Sequence, residues 1–241
     1  MKIRLDQTVI DLGLTNSRSQ AESYIKLGEV KVDGEVVTKP GFLVARGQKV
    51  EISPVQQYVS RAALKLASVA KTLNLNFQGK VVLDVGSSTG GFTDFALRQG
   101  AKQVISVEVG TNQLHHSLRG HPKIELHEQT DIRDVKKLSS TPDIVVADVS
   151  FISLRQILPH VAGLISMQTQ IVAMVKPQFE AGASSLKHKG VIKNDKMRRE
   201  ILKDFEAWAG QQFIIVDKAD SAVSGAKGNQ ERFYLLRKTQ A

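Results

Sequence analysis

Four polar side chains stand where apolar runs end: Asp84 near the close of Val81–Val85, Glu108 after residues 104–107, Asp148 after Ile144–Ala147, and Lys176 after residues 171–175. An acid just ahead of a glycine-rich turn suits a ligand with a positive group better than a pyrophosphate, because unlike charges attract and like charges repel. An acid at the end of the following run suits hydrogen bonding to ribose hydroxyls. One such residue says little. Four on one rim would make a site, so the question is which elements could carry them there.

Val81, Val82, Leu83 and Val85 form a β-branched, apolar run, the pattern of a strand buried on both faces of a parallel sheet. Gly86-Ser87-Ser88-Thr89-Gly90-Gly91 follows as a turn, and residues 92–97 begin a helix. Strand, glycine turn and helix make the first unit of a nucleotide-binding α/β sheet. There the glycines let the backbone approach a ligand, and the helix N-terminus favours negative charge. A tight turn with no ligand is the plainer alternative. Residues 104–107, Ile124–His127, 144–147 and 171–175 read as further strands, with Asp131 shortly after the third of the five. In an open parallel sheet ligands bind at the carboxyl ends of strands, where Asp84, Glu108, Asp148 and Lys176 all fall.

Residues 1–52 read as a separate small α/β module. Leu5, Val9 and Leu12 have helical spacing, closed by Gly13. Ser17 with Gln20 forms a capping box for a second helix, ended by Gly28. Val30, Val32 and Val36 flank Asp33-Gly34 as a hairpin, and Val50 and Ile52 add a strand. Residues 53–59 read as a linker and 60–241 as the larger domain, which opens with a helix over 60–73. On single-residue grounds Lys65 in that helix is a surface lysine. Residues 182–203 read as a basic loop leading into a helix that continues to Trp208, followed by strands over 213–216 and 233–236. Glu231 lies just before the last of these.

The chain has 241 residues, 41% of them hydrophobic, which suits one large domain or a medium domain with a small companion. The absence of cysteine excludes disulfides, thiolate metal sites and cysteine nucleophiles, and fits a reducing, cytoplasmic setting. Residues 1–9 have no apolar core, so no signal peptide is expected; nor does any run of about 18 apolar residues predict a membrane span. The histidines have no metal-binding spacing, so no metal is expected. The net charge of +9 is uneven. Residues 53–80 hold four bases and no acid, and residues 181–241 hold twelve bases against seven acids. Two basic segments around a near-neutral middle point to RNA or DNA, although each alone reads as solvated surface.

Arg4-Leu5-Asp6, residues 17–21, residues 25–30 and Val32-Asp33-Gly34 resemble the S4 RNA-binding domain. That resemblance implies RNA contact by Arg4, Arg18 and Lys26. The whole chain resembles the TlyA or hemolysin A family of S4-domain-containing rRNA 2′-O-methyltransferases, whose catalytic domain is similar to the FtsJ/RrmJ type. The phrases that carry this are residues 58–66, 84–94, 148–153, 175–180 and 228–231. The resemblance implies a Rossmann-like methyltransferase domain that uses S-adenosylmethionine. Asp84, Gly86, Ser87, Ser88, Gly90, Gly91, Phe92, Glu108, Asp131 and Asp148 would bind that cofactor. It further implies a catalytic set of Lys65, Asp148, Lys176 and Glu231 around a target ribose, a cytidine of ribosomal RNA. Lys176 would take or steer the hydroxyl proton, held by the acids. Arg61, Lys187, Lys189, Arg198 and Arg199 join the RNA-contact candidates. The family's hemolysin name finds no pore pattern in this sequence. The lysine-based set suits a 2′-hydroxyl, which DNA lacks. An RNA-binding assembly factor without catalysis is the alternative from another class.

Overall fold

The computed structural model describes residues 2–15, 18–26, 28–52, 58–181, 191–192, 194–225 and 228–239. The N-terminal part runs β1 (Lys2–Arg4), α1 (Leu5–Asp11), α2 (Arg18–Lys26), β2 (Val30–Val32), β3 (Glu35–Val36), β4 (Leu43–Ala45) and β5 (Val50–Ile52). β2 and β3 form the expected hairpin. Asp33 and Gly34 take φ of 51° and 87°, the left-handed pair that a tight two-residue hairpin requires. β5 pairs along the other edge of β2. β1 and β4 pair with each other and went unpredicted. Ile3 and Leu43 are largely exposed, so these three-residue strands show no burial alternation to read. The sequence also counts Leu12 with Leu5 and Val9 in the spacing of the first helix. That is corrected: α1 stops at Asp11, Gly13 turns the chain at φ 68°, and Leu12 is 55% exposed. Ser17, the expected cap of α2, lies outside the described residues.

Leu5, Val9, Tyr24 and Ile25 belong to an apolar cluster that continues without a break into Leu64, Phe77 and Phe95 of the larger part. Tyr58 sits at this seam, 3% exposed. Its amide donates to Tyr24 Oη at 3.2 Å, and the Val59 amide donates to Asp94 Oδ2 at 2.9 Å. Arg98 pairs with Asp94 and lies over the Tyr58 ring.

The larger part runs α3 (Arg61–Ala70), β6 (Val81–Val85), α4 (Gly91–Arg98), β7 (Gln103–Val107), β8 (Ile124–His127), β9 (Ile144–Ala147), α5 (Leu158–Leu164), β10 (Gln170–Val175), α6 (Pro177–Glu180), α7 (Asp195–Ala209), β11 (Phe213–Asp220) and β12 (Arg232–Lys238). Seven strands form one sheet in the order β11-β12-β10-β9-β6-β7-β8. β8, β7, β6, β9 and β10 are mutually parallel, and β12 runs antiparallel between β10 and β11. Successive side chains on a strand face opposite ways, and both faces are buried here. Val82, Val104, Val146 and Val172 pack with α3 and α4, while Leu83, Ile105, Val145 and Ile171 pack with Leu158, Leu202 and Phe205 of α5 and α7. This is a Rossmann-like α/β sheet behind a small α/β module.

Candidate active site

The strand order reverses between β6 and β9, and such a reversal opens a crevice at the carboxyl ends of the two strands. Val85 lies opposite Ala147, so Gly86 and Asp148 leave the sheet side by side. Gly86 has φ 80°, and a Cβ there would stand 2.8 Å from the Asp148 carbonyl oxygen. Only glycine satisfies both conditions. Gly90 caps α4 at φ 89°, close under Leu114 and Leu118. Gly91 packs against Ser60 and Ala62 of the α3 entry. Against this turn opens a cavity of about 510 Å³, lined by Gly86, Ser88, Glu108, Asp131 and Asp148 among others. A second cavity of about 130 Å³ adjoins it, adding Asp84, Ser87, Gly91, Phe92 and Lys176.

The acids differ in what they can still bind. Glu108 accepts the Ser88 and Gly110 amides, one on each oxygen at 2.8 Å, so it shapes the turn while facing the larger cavity. Asp131 pairs with Arg133 at the cavity edge, and that guanidinium holds its carboxyl below the usual range. Asp84 is fully buried; Oδ2 accepts the Thr93 hydroxyl at 2.6 Å, and Oδ1 has no hydrogen-bond partner. Burial pushes its carboxyl up to about 7, against the pull of Thr93. Ser87 Oγ is likewise buried without a partner. Both residues line the smaller cavity.

One ion pair, Lys176–Asp148, lines the smaller cavity; a second joins Lys65 to Glu231, neither of which lines it. Lys65 Nζ lies 2.8 Å from Glu231 Oε1, and Lys176 Nζ lies 2.6 Å from Asp148 Oδ1. The first is also a hydrogen bond; the second is a contact of charges outside hydrogen-bonding angles. Lys65 is 8% exposed, which overturns the single-residue reading of a surface lysine. Glu231 reaches this rim because β12 is antiparallel: Arg232 pairs with Val175, so the residue before β12 meets the residue after β10. Burial drives the Glu231 carboxyl above its ordinary value; Lys65 and Lys176 oppose this and Asp148 adds to it, so the four groups share one field. Pro177 restricts the backbone of Lys176, and the amine donates to Ser150 Oγ at 2.6 Å. Ser150 was not singled out from sequence, although it stands inside the 148–153 phrase. Nor were Phe151 and Glu180. Phe151 is 92% exposed at φ 67° and packs on Phe179. Glu180 is buried and accepts the Ser153 hydroxyl at 2.6 Å and the Leu154 amide at 2.7 Å, pinning the loop after Asp148 to α6.

The RNA-contact candidates divide. Arg4 and Arg18 are half-exposed, and both clasp the buried carboxylate of Asp6. Lys26 and Arg199 are exposed, and Arg61 donates to the Ser224 carbonyl. Arg198 is a correction. Its side chain packs inside the fold, bound to Asp220 and the Gln230 carbonyl, and is closed to a polyanion. Lys187 and Lys189 lie outside the described residues.

Residues 58–238 match the FtsJ-like methyltransferase family. The chain belongs to that family. An S4 domain matches residues 3–50 of this FtsJ-like methyltransferase. The chain is 35% identical over 241 residues to the 16S/23S rRNA (cytidine-2′-O)-methyltransferase TlyA of Mycobacterium tuberculosis, covering 98% of this chain and 90% of that protein. It is 36% identical to Hemolysin A of Brachyspira hyodysenteriae over 95% of this chain and 97% of that protein. A solved structure from Streptococcus thermophilus superposes with a TM-score of 0.73 at 35% identity, over 100% of this chain and 90% of that one. Among the described residues no helix of this methyltransferase is long and apolar enough to cross a membrane.

Proposed function

We propose that this FtsJ-like methyltransferase moves a methyl group from S-adenosylmethionine to the 2′-hydroxyl of a cytidine in ribosomal RNA, working in the cytoplasm where ribosomes are. The observation that carries the reading is the pair of lysine–carboxylate contacts, Lys176–Asp148 on the smaller cavity beside the glycine turn and Lys65–Glu231 within electrostatic reach of it. The relatives' names supply the ribosomal substrate and the nucleotide.

The residues present fit the cofactor. The unpartnered Asp84 Oδ1 suits a cationic amine, Glu108 and Asp131 suit the hydroxyls and ring of a nucleoside, and the crevice volume suits a ligand of that size. When bound, the cofactor supplies a methyl group on a cationic sulfur. The residues of this chain must then hold a ribose oxygen in line and remove its proton. Lys176 would take that proton as the free amine, and Asp148, beside it, would hold the ammonium that forms. Glu231, paired with Lys65, adds its charge to the same field. The basic surface and the S4 domain would hold the surrounding RNA.

Mass spectrometry of rRNA nucleosides from cells with and without the gene tests the reading. A 2′-O-methylcytidine that disappears with the gene, returns with the wild type and stays absent with Lys176→Ala is expected. Unchanged nucleosides sink it. Return of the mark with the variant removes Lys176 as the base.

A further inference from the structure

Lys176 has a geometry that the pair with Asp148 alone does not explain. A lysine nitrogen is tetrahedral, with one direction taken by its own carbon chain and three left. Asp148 Oδ1 lies 2.6 Å away but outside hydrogen-bonding angles, so it holds the amine in place without setting its rotation. Ser150 Oγ, also at 2.6 Å, accepts a directed hydrogen bond. Fixing one N–H about the bond to carbon fixes the other two directions with it. One of those carries an N–H in the ammonium and the lone pair in the free amine. With Asp148 alone, the amine could turn about its carbon bond and scatter that lone pair.

We infer that Ser150 is a positioning residue, whose hydroxyl sets the rotation of Lys176 Nζ so that its lone pair faces the substrate oxygen. The inference rests on the ribose-methylation reading only for what that direction meets. The backbone supports it separately. Phe151, next to Ser150, sits at φ 67°, a conformation strained for an aromatic residue that persists only where its surroundings hold it. Two and three residues further on, Glu180 holds Ser153 and Leu154. The same carboxylate ends the short helix that starts beside Lys176. Ser150 and Lys176 are therefore set against each other by one clamp.

Two variants and two readouts test this. Ser150→Ala removes the acceptor, and Ser150→Thr keeps it. NMR relaxation of the Lys176 side chain, assigned by its absence in Lys176→Ala, should show a more mobile amine in Ser150→Ala than in the wild type or Ser150→Thr. This readout needs neither cofactor nor RNA. In methyl transfer, Ser150→Ala should lose about tenfold in kcat, the scale of a misdirected reacting group, with KM for RNA and Kd for S-adenosylmethionine within twofold. Ser150→Thr should recover most of it. Equal Lys176 mobility in all three proteins overturns the inference. So does a loss that falls on KM or cofactor affinity, or one that threonine shares in full. A wild type without methyl transfer would sink the functional reading while the relaxation data still judge the role of Ser150.

Discussion

At the scale of residues, Asp84 makes the sharpest prediction. Its carboxyl is raised to about 7 by burial, so the folded state favours the protonated form. The stability it contributes is fully present below its unfolded value, about 4, and is lost as pH rises through about 7. An asparagine at this position would be neutral throughout. The melting temperature of Asp84→Asn relative to wild type should therefore climb between pH 5 and pH 8, while cofactor affinity falls. A constant difference across that range would mean that Asp84 ionises freely. For a cationic ligand the converse holds: wild-type affinity should rise with pH over the same window, as calorimetric titration would show. The acid at the strand end was legible because the strand itself was. Lys65 was not legible from its own surroundings. A lysine four residues into an amphipathic helix looks exposed, and its carboxylate partner is 166 positions away. Only the likeness to a known family pointed to it.

At the scale of elements, the turn after β6 holds two strand ends together. Gly86→Ala should place a methyl against the Asp148 carbonyl and force φ 80° on a residue that resists it. The expected cost is about 1–3 kcal/mol in urea unfolding, with loss of cofactor binding even where the variant folds. Retained affinity would mean that the turn tolerates a shift of β9 against β6. Four of the five parallel strands, β6, β7, β9 and β10, could be read because double-sided burial leaves nearly continuous apolar runs; β8, at the sheet edge, is only partly buried. The full length of β11 could not. Phe213–Asp220 lies at the sheet edge with a bulge near Val216, and its exposed second half carries an acid–lysine–acid pattern that reads as loop. Arg198 misled for a related reason. It sits in a run of bases, and nothing local reveals that Asp220, on another element, claims it.

At the scale of the molecule, the two parts share one apolar cluster. Tyr24→Phe should leave the buried Tyr58 amide without its acceptor, a loss of about 1–3 kcal/mol. Trp208 reports where that loss is felt, because it is the only tryptophan and stacks near Phe205 and Phe213, in the other part. If the chain unfolds as one cooperative unit, the fluorescence midpoint of Trp208 in urea should fall in the variant. An unmoved Trp208 transition, with an earlier one seen by circular dichroism, would describe two modules joined by a seam. The sequence divided the chain at residues 53–59 by composition alone. Composition cannot show that Tyr58, at the end of that stretch, is a core residue of the seam.

The antiparallel insertion of β12 has a consequence for the order of events during synthesis. β10 and β11 are both made before the strand that separates them, and Glu231 enters with that late strand. A nascent chain that has emerged only through β11 has the glycine turn, Lys65, Asp148 and Lys176, but Lys65 has no Glu231 to meet. Its sheet also has β10 open along one edge, waiting for β12. Contacts that close across so much sequence form slowly. On the proposed reading, Glu231 can meet Lys65 only once β12 has docked, so methyl transfer would wait for the strand that is made last.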